Sequence, residues 1–264
     1  MPEGDTVWLT AHRLNQALQA RTVDRFELRI AELATIDLTG SVVTRAFAHG
    51  KHLLIRFDRG FTLHSHLRMD GAWHLSRPGA RSGPLPDHMI RAIIGNGEWT
   101  ATGYRIHDVR LVPAAEEADL TRHLGPDLLG PDWDPLEAVA RLAAQPHRTV
   151  AEGLLDQRIL AGIGNLYKSE ILFIERVHPW SPIGDVADLT RIVTTAHRLL
   201  RLNRDHPEQS TTGSTVRGRQ HWVYLRAGES CLRCRTPIAY ALQGTAPRMR
   251  ATYWCPTCQP APGH

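Results

Sequence analysis

The chain changes hydrophobic period as it runs. Between residue 5 and about residue 20, Val7, Ala11, Leu14 and Leu18 recur at spacings of four, three and four, which predicts an amphipathic helix. Short alternating runs follow at 21–29, 41–48, 52–58, 61–68, 88–95, 98–104 and 106–112, the period-two pattern of half-buried strands. Asp58-Arg59-Gly60 and Gly95-Asn96-Gly97 punctuate them, the latter as a hairpin signal. Strands this short and this evenly spaced predict an antiparallel sandwich or barrel.

Near residue 115 the character shifts. Pro126, Pro131 and Pro135 with Gly125 and Gly130 mark a boundary. Helical periodicity then dominates at about 135–144, 149–158, 166–176 and 186–204. From about residue 222 come short strands, turns and all four cysteines. The reading is a multidomain α and β chain: a sheet domain with a leading helix over 1–120, a helical domain over 121–222 and a four-cysteine segment over 223–264.

Composition narrows the class. Of the 264 residues 42% are hydrophobic and 22% charged, an ordinary globular balance. No apolar run approaches the roughly 18 residues a membrane span needs, and Met1-Pro2-Glu3-Gly4-Asp5 lacks the basic start and apolar core of a signal peptide. A membrane span, a fibrous protein and a disulfide-rich secreted module are excluded, and a cytoplasmic location is expected. Charge is uneven: from Thr215 onward seven arginines (217, 219, 226, 233, 235, 248 and 250) face one acid, Glu229. Such a block suits a polyanion, most simply nucleic acid, although a solvated tail has the same composition. Lysine is nearly absent, with only Lys51 and Lys168.

Cys231-x2-Cys234 and Cys255-x2-Cys258 are separated by twenty residues. Two close pairs at this distance match a closed four-thiolate site for one structural zinc ion, the alternatives being two disulfides or four free thiols. Four thiolates leave no open position, so catalysis belongs elsewhere. Between the pairs, Arg248-Met249-Arg250-Ala251-Thr252-Tyr253-Trp254 reads as a basic turn entering an aromatic strand, able to offer Arg250 to a phosphate. In the helical region, Gly162-Ile163-Gly164-Asn165 joins two helical runs, with Asn165 as an N-cap and the new helix start as a phosphate site.

Pro2 follows the initiator Met1, and a small second residue permits methionine removal. The exposed amine would be a weak base: at pH 7.5 about a third of α-amines are neutral, against about one lysine in a thousand. A neutral secondary amine attacking an aldehyde-level carbon gives an iminium, an electron sink for elimination, and Glu3 beside it suits a general acid.

Together these segments resemble the formamidopyrimidine-DNA glycosylase/endonuclease VIII family of bifunctional DNA-repair enzymes. Pro2-Glu3-Gly4, Gly50-Lys51-His52-Leu53-Leu54, His66-Leu67-Arg68-Met69-Asp70-Gly71, Ala161 to Phe173 and the segment 231–258 are similar to its motifs, in family order. The resemblance implies that Pro2 attacks C1′ of a damaged nucleotide, that Glu3 protonates the sugar ring oxygen, and that β- then δ-elimination cuts the strand. It implies that Lys51, Asn165 and Arg250 grip phosphates around the lesion, with Lys51 and Arg250 counted in the catalytic centre. Met69 fills the gap left by the extruded base, and Arg110 faces the orphaned base. Gly164, Lys168 and Arg226 join the DNA-binding set. A monomer acting on damaged DNA in the cytoplasm, at the nucleoid, is the expectation.

The chain departs from the pattern at Asp5 and Thr6, where a second Glu is frequent, and at Leu111-Val112-Pro113, where the purine-specific branch has Phe-Gly. The stretch from Thr215 to Trp222 looks shorter than the loop that branch folds over 8-oxoguanine, and Leu225 stands where Gly is usual. These differences favour the endonuclease VIII side and oxidised pyrimidines. Met69 looks more like the purine branch, so an 8-oxoguanine/formamidopyrimidine-type enzyme is the alternative. A non-catalytic damaged-DNA-binding protein and a zinc-ribbon regulator are the others.

Overall fold

The computed structural model describes residues 2–80, 83, 85–247 and 249–261, so Arg248 of the basic turn and Met1 lie outside the described residues. The chain forms two compact units, 1–123 and 124–264, and the four-cysteine segment falls within the second.

The first unit opens with α1 (Gly4–Leu18), whose Val7, Ala11, Leu14 and Leu18 are all buried, as their spacing requires. Among the described residues eight strands follow: β1 (Arg25–Leu28), β2 (Val43–His49), β3 (His52–Phe57), β4 (Phe61–His66), β5 (Ala72–Ser76), β6 (Ile90–Gly95), β7 (Thr100–Tyr104) and β8 (His107–Pro113). They make two antiparallel four-stranded sheets, ordered β1-β6-β7-β5 and β2-β3-β4-β8. Phe26, Trp73, Ile94 and Ala101 from the first sheet share one core with Leu53, Ile55, Phe57 and Leu63 from the second and with the α1 stripe. Each such aliphatic side chain contributes about 1.5–3 kcal/mol on burial. The sandwich expected from the alternation is present.

One detail differs. Strand β5 has no counterpart among the predicted runs, because only Trp73 and Leu75 alternate in it and Arg77-Pro78-Gly79 ends it. The Gly95-Asn96-Gly97 signal does mark a hairpin, between β6 and β7, which closes through a four-residue loop. Gly95 pairs with Thr100, the Asn96 N–H donates to the Trp99 carbonyl at 3.1 Å, and Gly97 takes φ +76°.

The second unit holds α3 (Pro135–Ala143), α4 (Val150–Leu155), α5 (Asn165–Ile174) and α6 (Leu189–Asn203), then the hairpin of β9 (Ala239–Gln243) and β10 (Arg250–Trp254). A short helix, α2 (Glu117–Thr121), precedes them at the end of the first unit. Asp134, Thr149 and Asp188 cap α3, α4 and α6 through their side-chain oxygens. The helix expected over 149–158 stops at Leu155, because the Asp156 side chain turns to Arg148 and Arg158. Arg158 first, then Arg148, holds the Asp156 carboxyl far below the ordinary range, against the effect of burial. Val223, Ile238 and Tyr253 share the core of Leu142, Ile171, Phe173 and Leu199, so the cysteine segment is packed on the helices. No helix among the described residues is long and apolar enough to cross a membrane.

The second sheet also carries a histidine ladder. Register places His52 opposite His66, and His64 lies two residues before His66 on β4. His64 Nδ1 lies 3.0 Å from the Asp108 carbonyl, which only accepts, so Nδ1 holds the proton and Nε2 accepts from His52 Nδ1 at 2.8 Å. His66 Nδ1 accepts the Arg68 N–H at 2.9 Å. The two bonds in which a ring nitrogen accepts, at His64 Nε2 and at His66 Nδ1, need a neutral ring. Burial, with the neighbouring imidazoles adding to it, pulls His52 down to about 3; burial, then Lys51, pulls His66 to about 4. Both folded values lie below the unfolded value near 6.5. The stabilisation is therefore complete above pH 6.5 and is lost as pH falls towards 4, at roughly 1–2 kcal/mol per histidine between pH 6.5 and 5. The urea midpoint is expected to fall between pH 7 and 5, above the carboxylate range, and to fall less in His52→Gln. A midpoint that stays flat over this window contradicts the ladder.

Candidate functional site

Pro2 and Glu3 lie where α1 begins. Glu3 is the residue before the first helical turn, with φ −117° and ψ −174°, and its carbonyl accepts the Val7 N–H at 3.0 Å. Its side chain is fully buried, while Pro2 beside it is half-buried. The buried stripe of α1 fixes this end of the helix against the sheets, so the N-terminal dipeptide sits on a rigid element. Asp5 is buried and its Oδ1 accepts the Thr6 N–H at 2.8 Å.

Lys51 tips the β2–β3 hairpin. His49 pairs with His52, leaving Gly50-Lys51 as a two-residue turn in which Gly50 takes φ +56°. Met69 tops the loop from Leu67 to Gly71 and is 66% exposed. The Arg68 guanidinium is bidentate on Asp108 at 2.8–3.1 Å, and Asp70 takes Arg105 at 3.2 Å and His107 at 3.3 Å. Arg68, Arg105 and Asp108 all adopt left-handed backbone, at about 1–2 kcal/mol each for a residue with a Cβ. Gly71 is required, since a Cβ there would stand 2.6 Å from the Leu67 carbonyl. An exposed methionine on a strained loop braced by ion pairs suits an apolar wedge. Arg110 is exposed on β8, opposite His64, in regular strand.

In the second unit, the turn between α4 and α5 is held by a side chain that the sequence reading missed. Gln157 donates through Nε2 to the Leu155 and Ile163 carbonyls at 2.9 Å each and accepts the Gly162 N–H at 3.0 Å. Gly162 takes φ +113°, which glycine alone adopts easily. Gly164, not Asn165, is the cap position, in extended backbone. Asn165 is the first helical residue and its Oδ1 is occupied by Lys168.

Two residues of the expected DNA-binding set lie inside the protein. Lys168 is 0% exposed, with Nζ bonded to Asn165 Oδ1, Thr252 Oγ1 and the Ala251 carbonyl at 2.7–3.1 Å. Arg226 is buried too: it donates to the Trp222 and Ser230 carbonyls at 2.8 and 3.0 Å and to Glu229 at 2.9 Å. Both cations spend their donors inside the protein. Arg250 differs: it is exposed at the start of β10, with one 3.3 Å bond to the Met249 carbonyl.

Glu170, also absent from the expectations, is a buried carboxylate that accepts the Trp222, Val223 and Tyr224 N–H groups at 2.8 Å each and the Thr211 hydroxyl. It clamps the return of the 205–222 loop onto α5. Within that loop the Thr211 N–H and Thr212 hydroxyl bond to the Gln220 and Arg219 carbonyls, so it is a closed, self-bonded turn. Arg233 stacks over Phe173 at 4.3 Å and Trp222 at 5.1 Å, joining this clamp to the first cysteine pair.

The four cysteine sulfurs lie within 4.8 Å of one another, with Cys234–Cys255 at 3.3 Å and Cys231–Cys258 at 4.0 Å. A tetrahedron of thiolates at about 2.3 Å from zinc needs edges near 3.8 Å, so the donor set fits such an ion. The knuckles are already formed: Arg233 N–H points at Cys231 Sγ at 3.4 Å and Cys258 N–H at Cys255 Sγ at 3.5 Å. Gln259 accepts the Cys255 N–H and donates to the Val177 carbonyl, fastening the second knuckle to the helices.

Comparison with known proteins follows this geometry. Residues 1–112 match the formamidopyrimidine-DNA glycosylase N-terminal domain, and residues 124–203 match the formamidopyrimidine-DNA glycosylase H2TH domain. A probable endonuclease 8 2 of Streptomyces coelicolor is 52% identical over 99% of this chain and 95% of its own length. The chain belongs to the formamidopyrimidine-DNA glycosylase/endonuclease VIII family. It lies on the endonuclease VIII-like branch. A DNA-(apurinic or apyrimidinic site) lyase Nei2 of Mycolicibacterium smegmatis is 43% identical over 99% of this chain and 100% of its own. The fold matches that of a Lactococcus lactis formamidopyrimidine-DNA glycosylase bound to DNA containing an abasic site, with a TM-score of 0.81 and 21% identity over 98% of this chain and 100% of that one.

The backbone accounts for why glycine would suit position 225. It takes φ +60° as the third residue of a turn closed by the Arg226 N–H on the Val223 carbonyl at 3.1 Å, a position that favours glycine. Leu225 is exposed, so glycine there forfeits little burial. Leu225→Gly is expected to stabilise the protein by up to about 1 kcal/mol, the left-handed cost less the entropy of glycine in the unfolded chain. A lower thermal midpoint in this variant would contradict the strain.

Proposed function

We propose that this protein is a bifunctional DNA glycosylase and abasic-site lyase that removes oxidised bases, pyrimidines in preference, through a covalent intermediate on Pro2. The observation that carries the reading is the Pro2-Glu3 pair at the head of α1, a half-buried α-amine position beside a buried carboxyl side chain, in a chain aligned from end to end with relatives named endonuclease 8. With Met1 removed, the neutral Pro2 nitrogen attacks C1′. The base leaves with the electron pair of the glycosidic bond, and Glu3 gives a proton to the ring oxygen as the sugar opens. The iminium at C1′ then accepts electrons as a C2′ proton leaves and the 3′-phosphate is expelled. A second elimination expels the 5′-phosphate.

Lys51, Asn165 and Arg250 hold phosphates around the lesion, and Met69 and Arg110 occupy the space of the flipped nucleotide. Gly164 belongs to the backbone turn that approaches the DNA. The cysteine set holds one structural zinc ion, which supplies folding energy to the second unit and no reaction step. Leu111-Val112-Pro113 after Arg110, where the purine-specific branch has Phe-Gly, supports pyrimidines.

Borohydride added to untagged, zinc-loaded protein on an abasic-site duplex is expected to trap a covalent adduct, and blocking the Pro2 amine with an N-terminal tag to reduce it at least about a hundredfold, as for loss of a nucleophile. Absence of an adduct with wild-type protein sinks the proposal. A panel of single-lesion duplexes reads the substrate, and faster release of 8-oxoguanine than of oxidised pyrimidines would assign the purine alternative. Removing zinc with a strong chelator is expected to lower the thermal midpoint of the second unit and to abolish binding together with cleavage; full binding by metal-free protein would exclude the structural role.

A further inference from the structure

Lys168 is one of two lysines in the chain and is completely buried. Its ammonium has three N–H groups and no acceptor. Three acceptors meet it: Asn165 Oδ1 at 2.8 Å, Thr252 Oγ1 at 2.7 Å and the Ala251 carbonyl at 3.1 Å. The first stands at the start of α5. The other two belong to the residues directly after Arg250 on β10, more than eighty positions further along the chain. A donor-only partner also fixes the Asn165 amide, because Oδ1 must face the ammonium and Nδ2 is turned away from it as a donor. The strand side is braced in turn: Thr252 Oγ1 donates to Gln243 Oε1 at 3.0 Å, and Gln243 Nε2 donates to the Pro179 carbonyl at 3.1 Å.

A buried ammonium is expensive to desolvate, and an apolar side chain of the same length would avoid that expense. What the ammonium supplies is a fixed register between two distant segments. We propose that Lys168 is a positioning residue that locks the Asn165 amide and the strand carrying Arg250 into one rigid pair of donors for successive DNA phosphates. This rests on the reading of Asn165 and Arg250 as phosphate ligands given above.

The test is a double-mutant cycle on the full, zinc-loaded chain. Affinity for a duplex with a tetrahydrofuran abasic analogue is measured at fixed salt for wild type, Arg250→Ala, Lys168→Met and the double variant. Arg250→Ala is expected to weaken binding about tenfold in the wild-type background and less than about threefold in Lys168→Met, because an unlocked strand no longer holds the guanidinium in register. A merely structural loss would weaken both proteins alike and leave the Arg250 factor unchanged, and that equality would overturn the proposal. Thr252→Val removes one of the two strand-side acceptors and leaves the Ala251 carbonyl and Asn165 on Lys168; a shrinkage of the Arg250 factor in the same direction is expected there, so the question is answered even if Lys168→Met fails to fold. Wild-type protein with no preference for the abasic duplex would remove the functional reading and this inference with it, whereas preferential binding with equal Arg250 factors would remove this inference alone.

Discussion

An ammonium and a carboxylate buried two residues apart on one ten-residue helix hold the second unit together. Lys168 and Glu170 point to different sides of α5, one to the finger strand and the other to the 222–224 backbone. Each is satisfied by hydrogen bonds from several directions, and that is the condition for keeping such groups dry. Removing one partner leaves an uncompensated buried charge, which is far more destabilising than losing an exposed ion pair. The turn before α5, the loop that returns at Trp222 and the cysteine hairpin are therefore parts of one hydrogen-bonded framework. The four sulfurs close that framework at its far side, where Arg233 and Gln259 fasten the knuckles to the helices.

The first unit solves a different problem. On the proposed reading its chemistry falls on Pro2 and Glu3, close to a chain end, where disorder is the ordinary outcome. The buried stripe of α1 prevents this by anchoring the helix that begins directly after Glu3. The Met69 loop is held by other means: left-handed residues, a glycine with no room for a Cβ, two carboxylates with basic partners, and a histidine that must stay neutral to accept the Arg68 N–H. Its shape is set by several weak constraints acting together, which suits the wedge role proposed for Met69.

Much of this was legible in the sequence. Periodicity located α1, most of the strands and the four principal helices of the second unit, since each buries a regular stripe or face. Cysteine spacing located the cluster of four sulfurs that fits a metal ion. What escaped was of two kinds. Strand β5 has too few alternating apolar residues to be seen. The tertiary partners of polar side chains were invisible as well: nothing in the local sequence says that Lys168 and Arg226 turn inward, that Gln157 braces a turn, or that Glu170 collects three backbone N–H groups. A basic residue next to a DNA-binding motif reads as a DNA contact until its partners are known. Leu225 is the converse case, where a departure from the family pattern became intelligible once its backbone angle was seen.

On the proposed mechanism the reacting nitrogen is the amine of Pro2. Peptide mapping of the borohydride-reduced adduct by mass spectrometry tests it most directly. The account requires the sugar remnant on a peptide that begins at Pro2, with Met1 gone. A remnant on Lys51 or Lys168, or full-speed strand scission by protein whose N-terminus retains methionine or is acylated, would contradict it.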